Sequence, residues 1–408
     1  MGNLGIECSN LCKNKEDELE HYNNLAPNNQ NITLKNKKYF ATEKNQKKFN
    51  EIFRKKLPNF GKEISENEFN SNVPEEIQTY LTQNVYDYSP FLIPNKPTYE
   101  ARPVEFKNGN IYYGNWNEEA QMDGYGKLIL KKENVFTEGV WDEGMLKEGR
   151  IFLSNGDIYE GNIKNSTFNG KGKLIGKDGT FFEGEYKNGL KNGYGRLIYP
   201  DNSVYMGNFK DDNLDGNGEF EWKDGFIYKG NFKNNKLNGK GTITNKKTGS
   251  SYSGNFANNF FEGKGKFNFK SGSYYDGEFK SNKRDGKGIY FNINKKIKYE
   301  GDWLEDKQHG FGKIDDGNNV IKCTWRNGQT VENPQIEGDE NIDKDELNNI
   351  INFIAEDIDI FPENLPYIAQ TNNRFGFFKP EHQISILSEM EWIKLFLFYY
   401  SYFIIIII

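Results

Sequence analysis

From Ile111 to Trp325 large apolar side chains alternate with polar ones, and the alternation restarts roughly every 23 residues. Tyr205, Gly207 and Phe209 stand at i, i+2 and i+4, so on a strand they share one face, with Met206 and Asn208 on the other. A Gly-x-Gly follows, and the residue two beyond its second glycine is again apolar or aromatic: Leu128, Leu174, Leu197, Phe220, Ile243, Phe267, Tyr290 and Ile314. Lys, Asn, Glu and Asp fill most of the positions between. Period two in both halves predicts two strands per unit, each with one apolar face. Gly109, Gly156, Gly179, Gly225, Gly249 and Gly272 precede the first strand, and Asn-rich stretches such as 233–236 separate it from the second. Each unit is therefore expected to be a hairpin.

The recurring phrase is aromatic, any, Gly, any, aromatic. It is carried by Tyr112, Gly114 and Trp116; Phe182, Gly184 and Tyr186; Tyr205, Gly207 and Phe209; Tyr228, Gly230 and Phe232; Tyr252, Gly254 and Phe256; Tyr275, Gly277 and Phe279; and Tyr299, Gly301 and Trp303. Two further central glycines, Gly139 and Gly161, complete a near-constant period. Unit two departs from the phrase, with Thr137 in the aromatic position and Ile151 where the second glycine of Gly-x-Gly is expected. Unit three has Ile163 in place of the second ring, and Ile321 to Trp325 reads as a terminal half-repeat with Cys323 in the glycine position. Glycine weakens a strand unless something packs on its bare backbone, so rings from the same or the adjacent hairpin are expected to lie over it. The expected fold is an all-β repeat array of stacked hairpins forming an elongated, twisted single-layer sheet, with short helical or disordered flanks. A lone hairpin does not stand in water, so the array must be stacked and capped. At ~4.8 Å per strand, nine units span on the order of 80–90 Å before twist.

This phrase resembles the MORN (membrane occupation and recognition nexus) repeat over residues 104–326. The resemblance implies a non-catalytic module of elongated β-hairpin arrays that dimerise, scaffold cytoskeletal or axonemal assemblies and attach to membranes near phosphoinositides.

Composition suits a thin sheet better than a thick core: 35% of the 408 residues are hydrophobic, yet 15% are aromatic. Three cysteines, Cys8, Cys12 and Cys323, argue against a disulfide framework. Net charge is −6, distributed as about −1 over residues 1–100, about +5 over 101–330 and about −10 over 331–408. With the rings committed to a core, no basic stripe interleaves with free aromatics, and nucleic acid is excluded as a partner. The polar opening stretch lacks a signal peptide, so the protein is expected in the cytoplasm or at the cytosolic face of the plasma membrane, and the resemblance adds the cell cortex or a cilium as expected places.

The flanks divide into four segments. Residues 1–34 are expected to be flexible; Gly2 begins a myristoylation-like sequence in which Ile6 replaces the preferred Ser or Thr, and Cys8 and Cys12 are candidates for a second acyl anchor. Residues 35–103 hold nine basic side chains between Lys35 and Lys56, a helix capped by Thr42 with Phe49, Ile52, Phe53 and Leu57 on one side, and a Pro-rich linker. That helix either binds anionic phospholipid or a calmodulin-type groove, or packs its apolar stripe on the first hairpin. Residues 327–391 are acidic, with a short helix expected near Leu347, Ile350, Ile351 and Ile354 to cover the last open edge. The apolar tail 392–408 spans roughly 21 Å as a helix, short of the ~30 Å hydrocarbon core, and reads as a tail anchor or as read-through from a misplaced exon end.

Catalytic, cofactor and metal sites are not expected. His21, His309 and His382 lie in three different regions, no Cys/His spacing fits zinc, and the Gly-x-Gly pairs neither open helices nor precede Gly-Lys-Ser/Thr. Two calcium-loop imitations, from Asp211 and from Asp339, lack the closing glutamate. The reading is a non-enzymatic scaffold for other proteins or its own copy, tethered at a membrane or the cortex. The alternatives are a component of a ciliary or cortical cytoskeletal assembly, and a regulatory module akin to MORN-containing phosphatidylinositol phosphate kinases. For the last, the flanks are too short to hold a kinase domain.

Overall fold

The computed structural model describes residues 41–84, 97–338 and 344–351. Each unit is one antiparallel hairpin: Val204–Lys210 pairs with Asn213–Glu221, which pairs in turn with Phe226–Lys233 of the next unit. The same neighbour-to-neighbour order runs from Ile111–Trp116 to Val320–Arg326, one continuous sheet. Both edges are closed by short strands, which limits edge-to-edge association. Tyr99–Glu100 and Val104–Phe106 pair with opposite ends of Ile111–Trp116, and Gly61–Glu63 lies beyond the second of these. At the far edge Gln329–Thr330 and Gln335–Glu337 pair with the two ends of Val320–Arg326.

Four helices are described: α1 (Glu43–Phe60), α2 (Glu66–Ser71), α3 (Glu75–Gln83) and α4 (Lys344–Ile351). The last corrects one expectation. The final edge is covered by strand pairing, while Ile350 and Ile351 of α4 are buried in the ring core with Leu347 against it. Ile354 and the apolar tail lie outside the described residues.

The core is a zipper of rings laid over paired glycines. Gly207 stands opposite Gly218, Gly230 opposite Gly241 and Gly254 opposite Gly265, so neither strand carries a Cβ at that register. Tyr205, Tyr228 and Tyr252 lie flat over these pairs, and any methyl added at Gly218, Gly241 or Gly265 would fall under 3 Å from ring atoms. Each tyrosine meets the phenylalanine of its own hairpin and that of the next edge-on: Tyr205 is 5.1 Å from both Phe209 and Phe232, at 89° and 85°. Such pairs contribute about 0.5–1.5 kcal/mol beyond area burial. In these three hairpins a β-bulge follows the central glycine, leaving one residue without a partner across the hairpin. The tyrosine hydroxyl donates to the carbonyl of that residue: Tyr205 to Asn208, Tyr228 to Asn231 and Tyr252 to Asn255, each at 2.9 Å. The buried ring thus satisfies the backbone defect that its own packing requires.

Consecutive hairpins are also clipped at their turns. The two-residue turns hold both residues at positive φ, as in Asn234 (48°) and Asn235 (63°), the type I′ geometry that matches strand twist. The second turn residue donates its N–H to a carbonyl of the preceding hairpin and accepts an N–H from the same residue through its side chain. Asn235 does this with Leu214, Asn259 with Leu237, Asn282 with Phe261, Asp212 with Lys191 and Asp306 with Arg284. The choice of Asn or Asp follows electrostatics. Where the clipped residue is apolar the clip is the neutral amide; where it is Lys191 or Arg284, the clip is a carboxylate that also meets the cation, at 3.4 Å and 3.2 Å. A carboxylate beside Leu or Phe would be desolvated without a counter-charge.

Unit two corrects a second expectation. Gly149 stands opposite Gly139, so it fills the second glycine position and Ile151 pairs with Thr137 in the apolar position beyond it. The hairpin is one residue shorter after its turn, which shifted the apparent phase of the motif.

Three predictions follow from the ring, glycine and clip arrangement. Tyr228→Phe removes the hydroxyl from the Asn231 carbonyl and costs about 1 kcal/mol, whereas Gly241→Ala overpacks the same ring and costs about 1–3 kcal/mol. Both read as lower urea midpoints, and a Gly241→Ala protein as stable as the parent would mean the rings do not occupy that space. Burial holds the hydroxyls of Tyr205, Tyr228, Tyr252, Tyr275 and Tyr299 well above the ordinary phenol range. With folded values raised, stability is complete below about pH 10 and falls as pH climbs through the higher folded values. Ultraviolet titration should show these rings ionising together with unfolding, and independent ionisation near the free-phenol value would contradict it. Finally, the double variant Leu214→Lys/Asn235→Asp should be less destabilised than the sum of its singles by about 0.5–1 kcal/mol. Strict additivity would remove the electrostatic account of the clip.

Candidate functional site: the outer sheet face and its N-terminal clasp

The chain's own N-terminal helices show how each face of the sheet can be covered. Thr42 caps α1 by accepting from Asn45 N–H, as its sequence position suggested. Phe49, Phe53 and Leu57 then pack on the ring side of the first hairpin, Phe49 stacked on Tyr99 at 4.6 Å and Phe53 edge-on to Trp116 at 5.0 Å. Ile52, expected on the same stripe, is exposed instead; positions i, i+4 and i+8 face the array and Ile52 lies one residue off that line. Because the apolar stripe is anchored on Tyr99 and Trp116, it is not offered to a bilayer or to a calmodulin-type groove. Lys44, Lys47, Lys48 and Lys55 remain exposed on its outward side.

After α1 the chain passes round the sheet edge through Gly61–Glu63, and α2 and α3 cover the other face. Ile64, Phe69 and Val73 form a second core with Ile111, Ile129, Phe136 and Phe152, and Ile77, Tyr80, Leu81 and Ile158 pack against it. The first hairpins are thus sandwiched between helices, in keeping with the expected alternative that α1 packs its apolar stripe on the first hairpin, while the cover by α2 and α3 on the other face was not anticipated. This accounts for the sequence of unit two: Val135–Asp142 is buried on both faces along nearly its whole length and so loses the polar alternation.

A buried ionic cluster fixes the clasp. Arg150 Nε donates to Glu138 Oε1 at 2.8 Å, and its Nη1 donates to the carbonyl of Asn84, which caps α3, at 2.6 Å. The guanidinium also stands 5.8 Å from the centre of the Tyr80 ring. A cation at a helix C-terminus complements its dipole. Burial lifts the Glu160 carboxyl above the usual carboxylate range, against the pull of Arg150 3.8 Å away. Between α1, α2 and the first hairpin lies an open cleft of about 560 Å³. Arg54, Arg102 and Lys127 in its lining are balanced by Glu63, Glu66 and Glu100, and Glu66 accepts from Tyr113 at 2.8 Å, so the cleft has no strong selectivity for charge.

The sequence-derived ladder positions come together in the ring core: Tyr112, Trp116, Tyr205, Phe209, Tyr228, Phe232, Tyr252, Phe256, Tyr275, Phe279, Tyr299 and Trp303 are all buried. Gly114, Gly184, Gly277 and Gly301 face Gly126, Gly195, Gly288 and Gly312 across their hairpins. Cys323 faces Gly312 where another glycine would otherwise pair, and burial pushes its thiol up to about 11. Gly2, Cys8 and Cys12 lie outside the described residues, as do Lys35, Lys37 and Lys38. Among the described residues no group of His, Cys, Asp or Glu is placed to hold a metal, and no helix is long and apolar enough to cross a membrane.

The MORN repeat family model matches residues 159–181, 182–204, 205–226, 228–247, 252–274, 275–292 and 299–319. The two hairpins before residue 159, outside these matches, are the ones the helices clasp. Among solved structures the chain is similar to the TCP10 domain of Danio rerio CPAP, at 11% identity and TM-score 0.27 over 46% of this chain and 87% of that one. A structure of that domain with a peptide of Danio rerio STIL gives 15% and 0.27 over 55% and 94%. The TCP10c domain of Drosophila melanogaster Sas-4 gives 16% and 0.24 over 38% and 94%. No curated protein matches the chain. Residues 159–319 thus carry seven consecutive MORN repeats, built on the ring and glycine geometry above, and these support a repeat-based scaffold for protein interaction.

Proposed function

We propose that the scaffold works at an anionic membrane surface or the adjoining cortex, held there by its N-terminal segment while the array extends away to carry protein partners. One observation carries the reading. The apolar side of α1 is fixed to the first hairpin, so Lys44, Lys47, Lys48 and Lys55 form a basic surface attached to the end of the array. Helix insertion is not needed for such a tether. Each lysine near an anionic leaflet contributes about 1 kcal/mol, and a single acyl chain at Gly2 would bind only marginally without it. The array itself, from Ile111 to Arg326, is about 19 strands and so on the order of 90 Å deep before twist. It can present several partner sites at fixed separation.

Sedimentation of the full chain with phosphatidylserine vesicles tests the tether. Binding should weaken steeply with salt, and Lys44→Glu/Lys47→Glu/Lys48→Glu/Lys55→Glu should reduce it at least about tenfold with the fold intact. Salt-independent binding, or binding unchanged in the charge-reversed protein, would remove the basic helix from the membrane contact.

A further inference from the structure

The apolar row on the outer face does not stop where the clasp stops. Ile111, Ile129, Phe136, Phe152 and Ile158 are direct cross-strand partners in successive strands, and all five belong to or pack on the core that α2 and α3 cover. The register then continues without interruption through Ile175, Phe181, Ile198 and Val204, until Glu221 ends it. These four are half-buried and lie outside the helix-covered core. Beside them on the same face, Tyr194 is 59% exposed and Met206 41%.

The half of the row under α2 and α3 shows what the half that no described helix covers accepts. Tyr80 of α3 meets Phe152 edge-on at 5.4 Å, and Arg150, two residues before Phe152, receives the helix C-terminus. Lys173 before Ile175 and Arg196 before Ile198 repeat that combination of apolar side chain and cation at the same spacing on the next two hairpins. Arg150 is itself ion-paired while it caps α3, so the Lys173–Glu183 pair at 3.5 Å does not bar the same role.

The geometry points to the row Ile175, Phe181, Ile198 and Val204 as a docking surface for an amphipathic helix of a partner protein. The matching helix carries an aliphatic–aromatic–aliphatic triplet at i, i+3 and i+4, as α3 does with Ile77, Tyr80 and Leu81, and sets its C-terminal end toward Lys173 or Arg196. The inference rests on the scaffold reading and names the chemistry of one partner. It does not depend on the tether, which uses a different surface.

A labelled peptide of residues 66–84, this chain's own α2–α3 sequence, serves as the probe, added in trans to the full-length protein and followed by fluorescence anisotropy. One saturable site is expected. Tyr194→Glu/Met206→Glu, at exposed positions that do not endanger folding, should weaken it at least tenfold, and Ile198→Glu likewise. Phe260→Glu, an exposed apolar residue away from the row, should leave it unchanged. Absence of binding overturns the proposal, and so does equal binding to the Tyr194→Glu/Met206→Glu protein, which would mean the peptide displaces α3 or settles elsewhere. A concentration-dependent dimer that Tyr194→Glu dissociates would give the row to a second copy and also overturn it. In each of these cases vesicle sedimentation still reports on the tether independently.

Discussion

The structure depends on one contact: a tyrosine ring lying on a pair of glycines that face each other across a hairpin. Only where both strands lack Cβ can a ring approach the backbone closely enough to lie flat, and there the sheet is its own opposing layer. The bulge after the central glycine leaves a carbonyl without a cross-hairpin partner, and the tyrosine hydroxyl supplies the bond. Neither half works alone. A phenylalanine can fill the space, as Phe182 does, but it brings no hydroxyl to the bulge. A tyrosine over a residue with a Cβ could not reach its carbonyl. Because each ring also rests on the next hairpin's phenylalanine, stability accrues to the stack and not to the unit.

Much of this was legible from residue spacing. The period-two alternation fixed the faces, and the Gly-x-Gly fixed where the rings had to go, because no other arrangement explains glycine at strand interiors. What was not legible required knowing which residues sit opposite each other. The clip formed by Asn235 or Asp212 joins residues about 21 positions apart and looks locally like an ordinary turn. Gly149 was misassigned because a single missing residue shifts phase without changing composition. Ile52 illustrates a different limit. Apolar periodicity on a helix gives a sector, and the precise line of contact is set by what lies beneath it, here Tyr99 and Trp116.

The N-terminal helices explain why the array is not uniform. Covering both faces of the first hairpins buries Phe136 and Phe152, whereas the equivalent outer positions of later hairpins include Ser251, Lys298, Glu221 and Asp315. The departures of unit two from the repeat are thus the imprint of a packing partner. The same logic applied to an outer face that no described helix covers singles out Ile175, Phe181, Ile198 and Val204: the repeat motif does not require them, and ring packing does not use them.

Position along the array then acquires meaning. In the same outer row beyond Val204, the next strands offer Glu221, Ile227, Thr244, Ser251 and Asn268, so the continuous apolar strip ends midway while the ring core continues. Structural continuity and surface chemistry are therefore separable in this fold. The inner face repeats because every hairpin must solve the same packing problem, whereas the outer face is free to differ from hairpin to hairpin at little cost to the core. A scaffold needs that separation, since it lets one rigid backbone carry distinct surfaces at fixed spacing. The basic helix at one end, the apolar strip beside it and the more mixed surface beyond can each change without disturbing the rings that hold them in line.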